Sequence, residues 1–186
     1  MKLLVYIQQD QGNISSRSLE SLKGAQDIAK ESGGTVSALT FSSIAGEKLT
    51  GYDLSEVLVI DNPQLEIYNP LYYVKAIQDV SEVESPDILV LAHSYEARDW
   101  VPRLSARLNI PFVSDCINFK MNSKLIFVRS VYQGKFNSDL SVNCEKFIVS
   151  FQSGAFRIDA LKTGSASIRN VSVDLSNLDD SIQPGE

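Results

Sequence analysis

Short apolar segments alternate with helical patterns along the first part of the chain, and this alternation constrains the fold more than any other feature of the sequence. A continuous apolar segment is typical of a parallel strand that is covered on both faces. Five such strands are predicted, at residues 3–7, 36–41, 57–60 and 88–92 and from Phe112 onward. The repeat predicts an α/β domain of three layers, in which a mainly parallel, doubly wound sheet lies between helices.

Helical patterns fill the intervals between these strands. The first helix is predicted from a cap at Ser15 or Ser16 to a stop at Gly33. A short second helix fits between Ser42 and Gly51. These helices supply the crossovers that parallel strands require.

Two further helices are predicted from their capping residues. Asn69 followed by Pro70 predicts the start of the third. The fourth contains Trp100 and leucines at every fourth position after it. Because proline is best tolerated in the first turn of a helix, Pro102 places this start near Asp99, which is the predicted cap.

The chain becomes rich in β-forming residues after about residue 115. Short strands are predicted at residues 125–128, 131–132, 140–142 and 146–151, and the turn at 133–135 predicts a hairpin. No helical pattern separates these strands, so we expect them to extend the sheet or to form a small antiparallel appendage.

The last part of the chain changes character again. Residues 168–173 alternate apolar and polar side chains, whereas residues 174–186 contain no basic residue and no periodicity. A length of 186 residues fits one domain. We therefore expect a single domain over 1–173, with a short β-rich C-terminal part, and a tail over 174–186.

Composition excludes several classes of protein. Seventeen Lys and Arg against 23 Asp and Glu give a net charge of −6, which argues against a nucleic acid partner. No apolar segment approaches the roughly 20 residues that span a bilayer, so no membrane association is expected. Residues 1–7 are too short an apolar segment for a signal peptide. These features predict a cytoplasmic protein, and Cys116 and Cys144 are expected to be thiols of the core.

Motifs for catalysis are scarce. His93 is the single histidine, and neither a nucleophile elbow nor a set of metal ligands is present in the sequence. We therefore expect no catalytic residue, no metal and no enzyme activity. A small hydrolase that uses His93 is the least supported alternative.

One location still fits a ligand. Ligands of open parallel sheets bind beyond the carboxyl ends of the strands, where this sequence places Asp10, His93 and Ser94. A small polar ligand is one hypothesis. The alternative is that Asp10 and Ser94 cap or turn the chain and that His93 forms hydrogen bonds within its loop.

A second group of residues has the composition of an interface. Trp100 and Arg103 lie in the fourth helix, and Arg129 and Tyr132 lie in the β-rich part. Trp, Tyr and Arg are enriched among residues that anchor partners. The alternative is that Trp100 belongs to the core and that the arginines are ordinary surface charges.

Three motifs in this order resemble the amino-terminal domain of the electron transfer flavoprotein alpha subunit. Residues 102–108 are similar to the Pro-Arg-Leu-x-Ala-x-Leu helix of that family, and Ser114-Asp115 to its Ser-Asp strand start. Residues 129–134 resemble its Arg-x-x-Tyr-x-Gly hairpin. Ala97 departs from the usual glycine, and Lys135-Phe136 from the usual Asn-Ala.

The resemblance implies an adenine-nucleotide-hydrolase-like fold and a scaffold role in an alpha/beta heterodimer. In that family FAD accepts electrons from acyl-CoA or related dehydrogenases, and it is held by a second domain of the alpha subunit. No FAD-binding residue is expected in this chain, and 174–186 would be a truncated linker to that domain. The alternative is a free-standing adenine-nucleotide-binding module of the universal-stress type. Such a module needs a glycine-rich loop after the fourth strand, and residues 92–97 contain no glycine.

Overall fold

The computed structural model describes residues 1–176, 178 and 182. Within this part of the chain there are eleven strands and four α-helices. The strands are Lys2–Tyr6 (β1), Gln9–Asp10 (β2), Asn13–Ile14 (β3), Thr35–Thr40 (β4), Glu56–Val59 (β5), Ile88–Ala92 (β6), Phe112–Met121 (β7), Leu125–Val131 (β8), Phe136–Ser141 (β9), Phe147–Phe151 (β10) and Ser167–Asn170 (β11). The helices are Ser16–Ser32 (α1), Ser43–Leu49 (α2), Pro70–Glu84 (α3) and Tyr95–Leu108 (α4).

Nine of the strands form one sheet, in the order β11-β5-β4-β1-β6-β10-β7-β8-β9. The strands from β11 to β7 are parallel, and β8 and β9 continue the sheet as antiparallel strands. β2 and β3 form a separate small hairpin where only a turn was expected after β1. The predicted α/β class with a mainly parallel sheet is confirmed.

The β-rich part after residue 115 contributes strands to two different places in the sheet. β8 and β9 extend the sheet beyond β7, which is the first of the two arrangements that the sequence left open. β10, in contrast, lies between β6 and β7 in the middle of the sheet, and all five of its residues are buried. The chain therefore extends the edge of the sheet with the β8–β9 hairpin and then returns to the centre of the sheet as β10.

Helices cover both faces of the sheet and create two cores. α1 and α2 pack on one face, against residues such as Leu3, Val57 and Phe127. α3 and α4 pack on the other face, against residues such as Leu4, Leu58 and Ile148. Successive residues of β1 point to opposite cores, so its apolar segment is uninterrupted because both faces are covered.

The start of α4 corrects the sequence prediction. The helix begins at Tyr95 with Ser94 as its N-cap, and the Ala97 amide donates to the Ser94 hydroxyl at 3.2 Å. Asp99 is therefore not the cap, and Pro102 lies inside the helix. Pro102 is exposed, so the Arg98 carbonyl that it leaves without an N–H donor lies on the water-facing side.

The C-terminal segment packs further than expected. β11 pairs with β5 at the edge of the sheet, and Leu175 is 3% exposed within the core beneath α3 and α4. Packing thus continues past the predicted boundary at residue 173. The remainder of the predicted tail, residues 177, 179–181 and 183–186, lies outside the described residues.

The two cysteines differ in environment. Cys116 is fully buried in β7, as expected for a core thiol, and burial raises its pKa to about 12. Cys144 is exposed in the turn between β9 and β10, so its assignment to the core was wrong.

Candidate functional site

The order in which strands are added to the sheet reverses between β1 and β6. Ligands of open parallel sheets bind at such a reversal. Here the space at that point is closed. It is lined by Tyr6, Gln8, Ala92 and Trp100 among others, and it is too narrow for a water molecule. The side chains of the core thus fill the position at which a ligand was expected.

A hydrogen-bonded cluster lies next to this point, at the carboxyl ends of β6 and β10. His93 Nδ1 lies 2.9 Å from the Ser150 hydroxyl, and the Asp115 amide donates to the same hydroxyl at 3.1 Å. Because that hydroxyl accepts from Asp115, its own proton is free to be donated to His93 Nδ1. The other ring nitrogen of His93, Nε2, lies 3.9 Å from Asp115 Oδ1.

The surroundings of His93 favour its neutral form. Burial lowers the pKa of His93, and the positive charges of Arg98 and Arg129 lower it further, while Asp115 opposes them. The buried hydroxyl of Ser150 is satisfied by two partners and is fully inaccessible, so it is not placed to act as a nucleophile. The cluster joins three strands and contains no group poised to attack a substrate.

Asp10 lies in a different part of the same edge. It lines a cavity of about 690 Å³ together with Asp61, Glu66 and Ser42, and neither His93 nor Ser94 reaches it. The negative charge of Asp10 also contributes to the raised pKa of Glu96, whose main cause is burial. The three residues predicted to form one crevice therefore lie in different places. Asp10 lines the cavity, His93 belongs to the hydrogen-bonded cluster and Ser94 caps α4.

Ser94 has the role that the alternative interpretation gave it. Its side chain is 7% exposed and caps α4, so its hydroxyl is occupied by the first turn of the helix. The sequence signal was adequate, since serine before a helix is a strong cap.

Trp100 is a core residue. It is 1% exposed and packs edge-on against Tyr6, with ring centroids 5.5 Å apart. A side chain that buried cannot reach a partner in this conformation, which corrects its inclusion among the interface residues. The repeat with Leu104 is the spacing of a buried helix face.

Arg129 and Tyr132 belong to one hairpin. Arg129 lies in β8 opposite Cys116 and Ser138, and Tyr132 starts the turn that leads to β9. Tyr132 is 78% exposed and Phe136 is 64% exposed, and their rings contact each other edge to face at 6.0 Å. Tyr132 and Gln133 both have positive φ, at 53° and 57°, a conformation that costs free energy in residues other than glycine. The tip of the hairpin thus presents an exposed aromatic pair on a strained turn.

Arg103 lies apart from this hairpin, on the surface of α4. Its guanidinium forms an exposed ion pair with Asp99 at 3.3 Å, one turn earlier in the helix. Such an ion pair is typical of an ordinary surface charge. A role of Arg103 in an interface stays a prediction.

The residues that sequence reasoning missed are Ser150, Phe136 and Glu96. Ser150 was visible as the one polar residue inside an apolar strand, and such a residue needs partners when it is buried. Phe136 follows a turn signal, which gives no indication of exposure. Glu96 gave no signal, because its burial depends on contacts from other elements.

Within the described part of the chain, no group of three or more His, Cys, Asp or Glu side chains could hold a metal ion. No helix of that part is long and apolar enough to cross a membrane.

Comparison with known proteins identifies the family of this arrangement. A family model described as the electron transfer flavoprotein domain matches residues 3–176. FixB of Clostridium saccharobutylicum is 29% identical over 183 residues, which cover 94% of this chain and 54% of that protein. Electron transfer flavoprotein subunit alpha of Bacillus subtilis is 26% identical over 186 residues, which cover 98% of this chain and 57% of that protein. Lactate dehydrogenase (NAD(+),ferredoxin) subunit LctC of Acetobacterium woodii is 26% identical over 137 residues, which cover 71% of this chain and 33% of that protein. The chain spans little more than half the length of the first two relatives.

Proposed function

The chain belongs to the electron transfer flavoprotein domain family, and on that premise we propose that it is the non-catalytic supporting domain of an electron transfer flavoprotein alpha subunit. In the whole protein, an alpha/beta heterodimer, FAD supplies the redox chemistry. The electrons come from acyl-CoA or related dehydrogenases. The share of this domain, residues 1–173 extended by the packed Leu175, is to provide association surface. Its cytoplasmic location stays a prediction from the sequence.

The described residues do not fit FAD themselves. The cavity of about 690 Å³ at the carboxyl edge is lined by Asp10, Asp61 and Glu66, whose carboxylates repel a pyrophosphate. Core side chains fill the space at the point where the strand order reverses, between β1 and β6. The same two observations disfavour the alternative of a free-standing adenine-nucleotide-binding module. They support a role in which other parts of the whole protein hold the flavin.

The observation that carries the proposal is the uncovered β8–β9 hairpin. β9 is an edge strand, and no other strand of the described chain pairs with its outer side. It contains neither proline nor lysine, and its pairing with β8 runs over six residue pairs without a bulge. Natural proteins use proline, lysine and bulges to protect exposed edges, and the lack of these three in β9 favours a partner that covers it.

The charge of β9 favours a different chain over a second copy. Asp139 is the only charged residue of β9, and its carboxylate accepts a hydrogen bond from Lys120 Nζ at 2.7 Å. Two copies paired around the middle of β9 would bring two Asp139 side chains together, which is unfavourable. A beta subunit with a neutral or basic strand avoids this repulsion. The exposed Tyr132 and Phe136 at the tip would anchor it.

Two neighbouring proline substitutions test this surface. Successive residues of a strand point their amides to opposite edges, so one of Asn137→Pro and Ser138→Pro removes an outward amide and the other breaks the pairing with β8. We expect the variant with the outward proline to keep the unfolding transition of the parent. Its affinity for the beta subunit of the same organism should fall by about tenfold or more in isothermal titration calorimetry. Arg103→Ala, at an exposed side chain of α4, separately reports whether that helix contributes to the interface.

The outcomes separate the parts of the proposal. Unchanged affinity for both proline variants would show that the hairpin edge is not the interface. Absence of binding by the parent chain would remove the heterodimer itself. The visible absorption spectrum of the purified chain checks the remaining point, since stoichiometric flavin on this chain alone would contradict the supporting role.

A further inference from the structure

Four aromatic side chains form a continuous row through the core beneath α3 and α4, and the row ends at the surface. Trp100, the single tryptophan of the sequence, is the buried end. Its ring contacts that of Tyr6, with centroids 5.5 Å apart. Tyr6 contacts Tyr73 at 6.2 Å, and Tyr73 contacts Tyr68 at 5.1 Å. Tyr6 and Tyr73 are buried, whereas Tyr68 is partly exposed.

The composition of this aromatic row is suited to the movement of single electrons. Tryptophan and tyrosine give up an electron more readily than phenylalanine or aliphatic side chains do. The three contacts are edge to face and lie within the range of direct aromatic contact, so an electron can pass from each ring to the next. Phe41 also contacts Tyr6 and Tyr73, but its ring is much harder to oxidise and offers no branch.

The surface end of the aromatic row has a proton acceptor. The Tyr68 hydroxyl donates a hydrogen bond to Asp99 Oδ2 at 2.8 Å, and its contact with the Glu96 carbonyl is longer, at 3.4 Å. Arg103 pairs with the other carboxylate oxygen, Oδ1 of Asp99, which leaves Oδ2 to Tyr68. A tyrosine that loses an electron must also lose its phenolic proton, and a carboxylate within hydrogen-bond distance can accept it.

The other tyrosines of the described chain lack such an acceptor. The Tyr73 hydroxyl donates to the backbone carbonyl of Leu65 at 3.4 Å, and a carbonyl does not act as a base there. Within the described residues, Tyr68 is the one tyrosine whose hydroxyl donates to a carboxylate. An electron taken from the row is therefore most readily replaced from Tyr68, because only there can the proton leave as well.

We propose that the aromatic row carries oxidising equivalents out of the core, and that Tyr68 with Asp99 is the site at which they reach the surface. A one-electron oxidant of the oxyl-radical class removes an electron from Trp100 and leaves its indole radical cation. One electron then passes from Tyr68 along the row and restores the neutral indole, while the phenolic proton passes to Asp99. The products are the tyrosyl radical of Tyr68 and the protonated carboxyl of Asp99.

A soluble thiol completes the sequence. It transfers a hydrogen atom to the tyrosyl oxygen of Tyr68 and becomes a thiyl radical, and Asp99 releases its proton to water. The partly exposed position of Tyr68 makes this reaction possible, since the buried rings of the row cannot meet a solute. The activity needs neither FAD nor the beta subunit, so it is independent of the supporting role.

The single tryptophan makes a specific test possible, because a laser pulse that ionises tryptophan but not tyrosine starts the reaction at Trp100. Transient absorption of the full chain then follows the indole radical and the tyrosyl radical. We expect the tyrosyl signal to grow as the indole signal decays. Tyr68→Phe should lower the yield of tyrosyl radical several-fold. Tyr95→Phe is the matched control and should leave the yield unchanged, since Tyr95 is 80% exposed and lies outside the row.

Asp99→Asn separates proton transfer from packing, because an amide keeps the shape of the carboxylate but is not a base. The tyrosyl radical should form about tenfold or more slowly in this variant, at an unchanged unfolding transition. The proposal is overturned if no tyrosyl radical follows the decay of the indole radical in the parent. It is equally overturned if Tyr68→Phe gives the yield of the parent, or if Asp99→Asn gives its rate.

Discussion

At the level of single residues, Ser150 organises the carboxyl edge of the sheet. Its hydroxyl is fully buried and links His93 of the loop after β6 to the backbone of Asp115 in β7. Asp115 has a φ of 60°, and the pairing between β10 and β7 shifts register beside it. A polar residue in a buried strand is thus explained by a local irregularity that needs a hydrogen-bond acceptor.

The neutral state of His93 leads to a pH dependence of stability. Burial lowers the pKa of His93 in the folded protein below its ordinary value of 6.5, which it keeps in the unfolded chain. The unfolded chain therefore takes up the proton first, and stability falls as the pH drops below that ordinary value towards the folded-state pKa. His93→Asn should lose less stability than the parent between about pH 7.5 and 5.5 in urea unfolding. Glu96 has a raised pKa and the opposite dependence, but it is present in both proteins and cancels in the comparison. Equal losses in the two proteins would count against a buried neutral His93.

At the level of elements, β11 shows how an exposed strand is held in place. All four of its residues are exposed, so burial of its side chains contributes little. Arg169 instead forms paired hydrogen bonds with Glu56 of β5 and a third with Glu84 at the end of α3, at 2.7 to 2.9 Å. Glu84 is 10% exposed and also accepts from Lys2, so it ties α3 to both β1 and β11.

This arrangement predicts a clear difference between two arginines. Arg169→Ala should lower the free energy of unfolding by about 1–2 kcal/mol, because it leaves the buried carboxylate of Glu84 with one partner fewer and releases β11. Arg157→Ala is the control, since its ion pair with Asp159 is exposed on both sides and should give no measurable change. Urea unfolding of both variants measures the difference. If Arg169→Ala lowers the free energy of unfolding as little as Arg157→Ala does, β11 is held by its backbone pairing alone.

At the level of the whole molecule, the C-terminal segment belongs to the fold. Leu175 is 3% exposed and packs in the core that α3 and α4 form with the sheet. Val171 and Val173 pack against the same core, so the alternation that begins in β11 continues to Leu175. The segment therefore fastens one edge of the sheet to a helix layer.

Leu175→Ala tests this role. Loss of a buried leucine should reduce the free energy of unfolding by about 2–4 kcal/mol, through lost burial and a cavity. Val83→Ala, at a side chain that is 79% exposed, should change it by less than about 0.5 kcal/mol. Both are measured by urea unfolding. If Leu175→Ala is as stable as Val83→Ala, the segment after β11 does not contribute to the stability of the fold.

The sequence by itself determined the class of the fold, the first five parallel strands, the start of α1 to within one residue, the cap of α3 and the family. Each of these depends on residues close together in the chain, namely a continuous apolar segment, a cap beside a proline, or a short ordered motif. The position of β10 between β6 and β7, the burial of Trp100 and Leu175 and the division of Asp10, His93 and Ser94 among three surroundings were decided by tertiary structure. These features depend on which strands pair across the sheet. Strand pairing is set by packing between residues that are far apart in sequence, so the local periodicity of the sequence does not predict it.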